Sequence, residues 1–567
     1  MSMTSSELIK NEVLESEAKV DSSTEQSKAS ITQGTMTKAT QQKACRYELV
    51  CFLGLTVFVA WMIRMISLGL YPLMDTTEAR YGEMARIMYE TGDWITPMFD
   101  YQVPFWGKPP LFAWLSASGF ELFGVNEFAA RMPHLLLGMI TVALVGWFMA
   151  RQVRLSAVKS DAFHGWLAAM VLSTTGAFLL LSGAVMTDTA LTLAITLSMI
   201  SFWLAWNTSS KVWGYLFFAG LALGMLAKGP LTLVLLGISL GLWVLADKRL
   251  LRVWGALPWI GGTLLFLALS LPWYLLAEAK TPGFLNYFIV GEHFKRFVIS
   301  GWQGDLYGTA HDEIRGTIWL YWFTSALPWA PILLWQLMRR IKRGADVQEL
   351  TSVGQNMSEG NSAQPVQHRK QTVTRTAGFT GFLWCWMLSP MLLFTFAGNI
   401  LPSYVLPGLP AMALLIAEYQ RRNPLNTRVF FLGLLMPVLI VAVVWGINAG
   451  VSSKEAEKAL LNQWSKQPEA QTSQLIYQRK RPFSAQFYSN GKAVQSKEPL
   501  MTLVQGLSQP AFIAVEKKRL DVEAVQALSQ CEVRAEARNR SLYFCPANSV
   551  MQESVVQEEA AQESVIQ

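Results

Sequence analysis

Charge is scarce in this chain. Only 15% of its 567 residues are Asp, Glu, Lys or Arg, against 52% hydrophobic, a balance that excludes an ordinary soluble domain and points to many membrane spans. The formal charge of +7 does not indicate a nucleic-acid partner, because the Lys and Arg residues fall in short clusters between apolar runs, where they act as topology signals. No cleavable signal peptide is visible either. The first apolar run begins near residue 47 without a small-residue cleavage site after a short core, so it is expected to stay as a span. Residues 1–44 lack aromatic side chains and cannot bury enough apolar surface to offset ordering entropy, which predicts a disordered cytoplasmic tail. Cysteine is sparse, with five in the chain; Cys51 and Cys385 sit in or near apolar runs and read as ordinary thiols.

What is present is a succession of apolar runs of roughly 20 residues, the length a helix needs to cross about 30 Å of hydrocarbon. They fall at 48–70, 132–150, 164–184, 188–206, 212–227, 229–246, 254–277, 314–338, 378–397, 403–419 and 428–449. The fold class they predict is an all-α polytopic membrane protein of about eleven transmembrane helices, within a range of roughly 10 to 13, carrying a small α/β extramembrane domain at its C-terminus. Clusters such as Arg151 with Arg154, Lys248 with Arg252, Arg339 to Arg343, and Arg421 with Arg422 all fall on one side, which the positive-inside rule makes cytoplasmic. The N-terminus is then cytoplasmic and the C-terminus lies outside. The expected organisation is a tail at 1–44, a membrane domain at 45–450 with a first outer loop at 72–131, and a cytoplasmic linker at 344–377. An outer α/β domain at 451–547 and a frayed tail at 548–567 follow. In that outer domain Ala511–Val515 and Ser541–Cys545 read as strands and Val522–Gln530 as a short helix. Cys531 and Cys545 would face an oxidising compartment and can pair.

The unusual polar residues collect on the outer side. Met74–Pro110 puts carboxylates, arginines and a lysine directly after the first span, where a lipid-borne substrate can meet a water-borne one. Asp75-Thr-Thr-Glu78 reads first as a capping box, with Asp75 accepting from first-turn amides and Glu78 reaching back. Tyr81, Met84, Ala85 and Met88 make an apolar stripe on the helix that follows, expected to lie flat along the interface. Capping does not account for Arg80, Glu83 and Arg86, or for Lys108 in its apolar Phe-Trp-Gly-Lys-Pro-Pro setting. A carboxylate that orients or deprotonates an acceptor, with Arg and Lys neutralising a phosphate leaving group, is a transferase set. Asp188 opens an apolar span, where an ionised carboxylate costs about 2.5 to 3.5 kcal/mol at mid-membrane, and it either caps that helix or serves the site. Lys228 meets a lipid phosphate or snorkels to the interface.

The runs Glu78-Ala-Arg-Tyr-Gly-Glu83, Gly92-Asp-Trp-Ile95, Lys108-Pro-Pro-Leu111 and Phe123-Gly-Val-Asn-Glu-Phe-Ala-Ala-Arg131 carry a resemblance. With Met186-Thr-Asp188, Glu292-His-Phe-Lys-Arg296 and Leu401-Pro-Ser-Tyr-Val-Leu-Pro407, their order and spacing resemble the membrane glycosyltransferases that include the lipid A 4-amino-4-deoxy-L-arabinose transferases, within the protein O-mannosyltransferase superfamily. The resemblance covers residues 48–450. It implies a GT-C fold, a polyprenyl-phosphate sugar donor, and inverting transfer at the outer face of the inner membrane to lipid A, another glycan or a protein. It places the catalytic carboxylate on Asp75, phosphate binding on Arg80 and Lys108, and substrate positioning on Asp188. Tyr404 with Asn399 resembles the family's outer Tyr motif and is expected at the carrier phosphate, the alternative being an aromatic-belt residue.

Two departures bear on the site. Asp75 and Glu78 are separated by two threonines, with Thr77 in the usual Asp slot, so either carboxylate can act. Gly107 stands where the aminoarabinose enzymes carry a Glu that, with a histidine like His293, binds a metal. No cofactor is therefore certain, and a divalent metal on His293 has lost its carboxylate partner. A rival of the same fold would transfer another sugar or use another acceptor. A rival of a different class, a transporter or flippase, would carry internal repeats and mid-membrane polar residues on broken helices.

Overall fold

A computed structural model describes residues 46–155, 162–248, 250–295, 304–307, 313–355, 366–449 and 456–547. The tails expected at 1–44 and 548–567 lie outside the described residues. Helix α1 (Arg46–Ser67) leads into an outer loop that carries α2 (Thr77–Thr91), a hairpin of β1 (Met98–Asp100) and β2 (Val103–Pro104), and α3 (Leu111–Phe123). The membrane domain continues with α4 (Glu127–Leu155), α5 (Ala162–Ser173), α6 (Gly176–Leu181), α7 (Asp188–Thr208), α8 (Lys211–Lys228), α9 (Leu231–Asp247) and α10 (Trp259–Lys280). After the wide π-helical segment Asn286–Lys295 come α11 (Thr317–Ser325), α12 (Ala330–Gln355), α13 (Val366–Phe394), α14 (Leu409–Arg422) and α15 (Leu435–Asn448).

Five described helices are long and apolar enough to cross a membrane: Arg46–Ser67, Glu127–Val153, Asp188–Thr208, Trp259–Lys280 and Thr427–Asn448. Other apolar runs are shorter or broken. The run at 164–184 splits into α5 and α6, and the run at 314–338 splits into α11 and α12. Pro328 in the second break brings no N–H, and the two breaks satisfy each other. Gly176 N donates to Leu327 O at 2.8 Å, and Trp329 Nε1 donates to Thr174 Oγ1 at 3.0 Å. Irregular backbone at this depth survives only because protein supplies such partners. The run at 403–419 likewise opens as a 3-10 turn, Pro402–Gly408, before α14. Helices α12 and α13 extend into both ends of the segment expected to be an irregular linker, 344–377, while 356–365 lies outside the described residues.

Helix α7 is the hub of the membrane domain. Of its most apolar stretch 94% is buried within the protein, against 28% for α1 and 22% for the Thr427–Asn448 helix, so α7 is sheathed by other helices while the other two present apolar sides to lipid. Its closest neighbour is α8, and a Cβ on Gly220 would stand 2.5 Å from Ser198 Oγ; only glycine admits that approach. In the outer loop the stripe Tyr81, Met84, Ala85 and Met88 is buried against Phe112, Ala113, Ala117 and Phe120 of α3. It faces protein rather than an open membrane interface.

Beyond the last span, a five-stranded sheet runs in the order β4-β3-β5-β7-β6, built from β3 (Gln474–Gln478), β4 (Ala493–Ser496), β5 (Ala511–Glu516), β6 (Glu532–Glu536) and β7 (Arg540–Cys545). Strand β3 pairs in parallel with β4 and β5, and β7 is antiparallel to β5 and β6. The helices α16 (Lys458–Trp464), α17 (Phe483–Tyr488), α18 (Leu500–Gln505) and α19 (Val522–Ala527) connect and cover it. The hydrophobic Ala511–Val515 is the fully buried core of β5, and a disulfide joins Cys531 to Cys545 across the β6–β7 hairpin. This domain docks on the outer loop through α17: Phe487 packs into the α2–α3 core, Tyr488 Oη accepts from Leu73 N at 2.7 Å and donates to Glu127 Oε1 at 2.9 Å, and Arg481 pairs with Asp100.

The outer loop's tightest approach yields a stability prediction. A Cβ on Gly119 would stand 2.1 Å from the carbonyl oxygen of Ala129, a backbone atom that cannot yield without separating α3 from α4. Gly119→Ala is expected to cost about 1–3 kcal/mol, the usual penalty of overpacking, read as a lowered thermal unfolding midpoint of the detergent-solubilised protein.

Candidate active site

The two carboxylates of the first outer loop have different partners. Thr76, not Asp75, is the N-cap of α2, and its side chain makes no capping bond. Glu78 does reach back, accepting from Met74 N at 3.4 Å, but its main partner is Arg131 near the start of α4. Arg131 Nε and Nη2 each meet one Glu78 oxygen at 2.7 Å, a bidentate pair. The remaining guanidinium donors bind the carbonyls of Leu68, Tyr71 and Pro72 at 2.5 to 2.8 Å. Burial pushes the Glu78 carboxyl up, but the charge and hydrogen bonds of Arg131, with the N–H groups of Met74 and Val185, outweigh it and leave the pKa below the ordinary 4.5. Glu78 is thus a clamp with both oxygens engaged.

Asp75 is turned the other way, onto the C-terminal domain. Its Oδ1 accepts from Ser484 N at 3.1 Å and its Oδ2 accepts from the Ser484 hydroxyl. Burial raises its pKa above the ordinary carboxylate value, and the Ser484 bonds, the Phe483 N–H and the charge of Lys480 offset only part of that rise. Asp75 lines a cleft of about 370 Å³ between the loop and the domain, with Lys480, Phe483, Glu516, Lys518 and Arg540 around it.

The cations expected to bind phosphate fall into a second group. Lys108 Nζ lies 3.1 Å from Glu292 Oε1, and Lys228 Nζ lies 2.6 Å from Asp188 Oδ1, both nearly sealed from solvent. Neither lysine is an unpaired charge. Lys228 does not snorkel: it stands 4.3 Å from the centroid of the Tyr404 ring, a cation–π contact. Asp188 spends its carboxylate on that lysine rather than on capping α7. Asn399 lies on the turn before the 3-10 segment that carries Tyr404. Arg80 is different, since its Nη1 donates to Tyr307 O at 2.9 Å while its Nε is buried with no hydrogen-bond partner. A ring ladder connects the groups, because Phe99 lies 5.2 Å from Phe483 and 5.1 Å from Tyr307, and Tyr307 Oη accepts from the backbone N of Trp106, two residues before Lys108.

His293 is not disposed as a metal ligand. Its Nδ1 is 2.8 Å from Phe288 O and its Nε2 is 3.3 Å from Lys228 O, so both ring nitrogens face carbonyl oxygens. Burial lowers its pKa below the ordinary 6.5. Gly107 offers no side chain, and a Cβ there would meet Glu292 Oε1 at 3.3 Å, so the Glu292 carboxylate fills that space and is matched by Lys108. Among the described residues no three His, Cys, Asp or Glu side chains gather as a metal site. Among the described residues, then, His293 has no gathered carboxylate or histidine set beside it, and the neighbouring Glu292 is matched by Lys108.

Three partners escaped the sequence reading. Glu292 had a signal, a carboxylate beside the histidine of the Glu-His-Phe-Lys run. Tyr307 and Ser484 had none, since an aromatic residue and a serine in loops carry no local mark of a contact hundreds of residues away. The Glu78 clamp and the Asp75 contact differ in kind, and that separates their variants. Glu78→Ala leaves a buried Arg131 charge unpaired and is expected to cost about 3–5 kcal/mol, whereas Asp75→Asn keeps one of the two acceptors for Ser484 and should cost only about 1 kcal/mol, the scale of one hydrogen bond. Because the folded Glu78 carboxyl titrates below its ordinary 4.5, its stabilisation is complete above that pH and is lost as pH falls through the lowered value. Thermal scans of wild type and Glu78→Gln across acid pH should therefore converge at the low end.

The family model described as dolichyl-phosphate-mannose-protein mannosyltransferase matches residues 49–288. The undecaprenyl phosphate-alpha-4-amino-4-deoxy-L-arabinose arabinosyl transferase of Enterobacter sp. (strain 638) is 27% identical over 71% of this chain, and its counterpart in Edwardsiella ictaluri is 28% identical over 66%. The chain spans 66% and 62% of the length of these two relatives. In fold it is similar to ArnT from Cupriavidus metallidurans bound to undecaprenyl phosphate, with a TM-score of 0.65 at 16% identity, covering 87% of this chain and 98% of that one. The apo form of the same protein gives 0.64 at 17% identity, with coverage of 87% and 97%. The chain is a multi-pass membrane protein with the fold of the Cupriavidus protein, and it is similar in sequence to the aminoarabinose transferases and, over residues 49–288, to the mannosyltransferase family model.

Proposed function

We propose that this chain is an inverting glycosyltransferase that moves 4-amino-4-deoxy-L-arabinose from a polyprenyl-phosphate donor to lipid A at the periplasmic face of the bacterial inner membrane. Its N-terminus is then cytoplasmic and its C-terminal domain periplasmic, in keeping with the clustered basic residues on one side of the spans. The carrying observation is the division of labour in the first outer loop. Asp75 opens on the cleft beside the C-terminal domain, while Arg80 and Lys108 of the same loop meet Tyr307 and Glu292 from the segment between α10 and α11. The relatives' names and the undecaprenyl phosphate held by the Cupriavidus protein support the donor class.

The chemistry needs no covalent intermediate on the protein. The acceptor oxygen attacks the anomeric carbon from the face opposite the phosphate, and the bond to the phosphate oxygen breaks with its electron pair leaving on the carrier. Arg80, whose Nε is unpartnered, is the cation most ready to receive the charge that develops there. Lys108 and Lys228 join it by dividing their ammonium N–H donors between the phosphate and their carboxylate partners. A hydroxyl acceptor loses its proton to Asp75 as general base; a phosphate acceptor, already ionised, is only oriented by it. The departure at Gly107 favours a second reading in which the same transfer serves another sugar or acceptor.

Mass spectrometry of lipid A from cells with and without this gene tests the proposal. The expected result is a gene-dependent aminopentose increment that an Asp75→Asn complement fails to restore. Unaltered lipid A would overturn the acceptor assignment and favour the second reading, and full restoration by Asp75→Asn would overturn the role of the carboxylate.

A further inference from the structure

The C-terminal domain reaches the candidate site through Ser484, whose side chain is fully buried. Its Oγ accepts the N–H of Glu457 at 3.1 Å, which directs the hydroxyl proton toward Asp75 Oδ2. Its own N–H is on Oδ1. One serine thus takes one lone pair on each carboxylate oxygen, fixing the carboxylate plane, and the Phe483 N–H adds a further bond. Ser484 is itself braced. Glu457 is held by Arg540 Nε at 3.0 Å and by Tyr477 Oη at 3.4 Å, and Arg540 Nη2 also binds Glu516 at 2.9 Å. The network runs from the edge of β7 to the carboxylate without a break.

We propose that Ser484 is a positioning residue for the transfer, its hydroxyl holding the Asp75 carboxylate in the orientation that faces the acceptor, so that the C-terminal domain is part of the active site. The inference rests on reading Asp75 as the catalytic carboxylate. Ser484 leads the groups that pull the Asp75 pKa down against burial, ahead of the Phe483 N–H and Lys480. The other charges around it are Glu457, Arg481, Glu516, Lys518 and Arg540 in the cleft wall and, on its own loop, Glu78, which Arg131 neutralises. Without the hydroxyl, Asp75 binds its proton more tightly and a smaller fraction is ionised at a given pH. The acid limb of the rate profile then moves upward.

The full chain in detergent, supplied with undecaprenyl-phosphate-linked aminoarabinose and lipid A, tests this by a pH–rate profile followed from neutrality down through the acid limb. Ser484→Ala is expected to lower kcat roughly tenfold at neutral pH, to leave KM for the donor unchanged, and to move the acid limb up by about one pH unit, as loss of a hydrogen bond to a charged group predicts. Ser484→Thr, which keeps the hydroxyl, should restore the profile. Where Ser484→Ala folds poorly by its thermal midpoint, Ser484→Cys, of similar size but a weak donor, reads the same limb. A limb that stays at its wild-type position in these variants overturns the proposal, as does a loss that Ser484→Thr fails to recover. Asp75→Asn is run beside them. Retained transfer in Asp75→Asn overturns the functional reading itself, whereas an inactive Asp75→Asn with an unmoved Ser484→Ala limb overturns only the role of Ser484.

Discussion

The guanidinium of Arg131 is the point from which the outer half of this protein is hung. A fully buried arginine must find acceptors for its donors or lose several kcal/mol to desolvation. Here Glu78 supplies two oxygens and the carbonyls of Leu68, Tyr71 and Pro72 supply three more. Those carbonyls belong to the chain leaving α1, and Glu78 belongs to the first turn of α2. One side chain on α4 therefore fixes where the first span ends and how the next helix starts. It also sets the place of Asp75, three residues before Glu78, and of the Val185 turn, whose N–H reaches Glu78 Oε1 at 3.4 Å. Tyr71 packs its ring 3.7 Å from the guanidinium carbon, closing the clamp from the remaining side.

A second regularity is that charge at the outer membrane boundary comes in matched pairs. Lys108 with Glu292 and Lys228 with Asp188 each join two segments far apart in sequence, and the low dielectric around them makes an unmatched partner costly. The same holds for the buried pair of Arg86 with Glu83, which fastens α2 to Tyr101 of the hairpin. That pair explains why these acidic and basic residues follow Asp75. Arg80 departs from the pattern in carrying a buried Nε without a partner. Such a group is an exception that polar burial rarely permits.

The C-terminal domain is not a passive appendage to this arrangement. Its α17 delivers Phe487 into the α2–α3 core, Tyr488 to Glu127 and Ser484 to Asp75 within six residues of chain. Hydrophobic contact there orients the polar contacts, because Phe487 and the ring ladder through Phe99 and Phe483 leave the short helix one way to sit. A cleft with acidic and basic walls is what remains between the two parts.

The membrane character and the approximate places of the apolar helices follow from the sequence alone, because a segment of sufficient length and hydropathy has one favourable place to go. The loop motifs also marked Asp75, Arg80, Lys108, Asp188, Lys228 and Tyr404 as residues worth attention, since charge beside lipid is costly and stands out. Sequence could not assign their partners. Whether Asp75 or Glu78 is clamped was decided by Arg131 arriving from α4 and Ser484 arriving from beyond the last span, and whether His293 presents a nitrogen to a ligand was decided by the carbonyls of Phe288 and Lys228. Where the runs at 164–184 and 314–338 break was settled in the same way, by the hydrogen bond from Gly176 to Leu327. Local pattern records burial and periodicity, properties each residue shares with its neighbours in the chain. The pairing of buried polar groups is a property of residues that meet only when the helices pack.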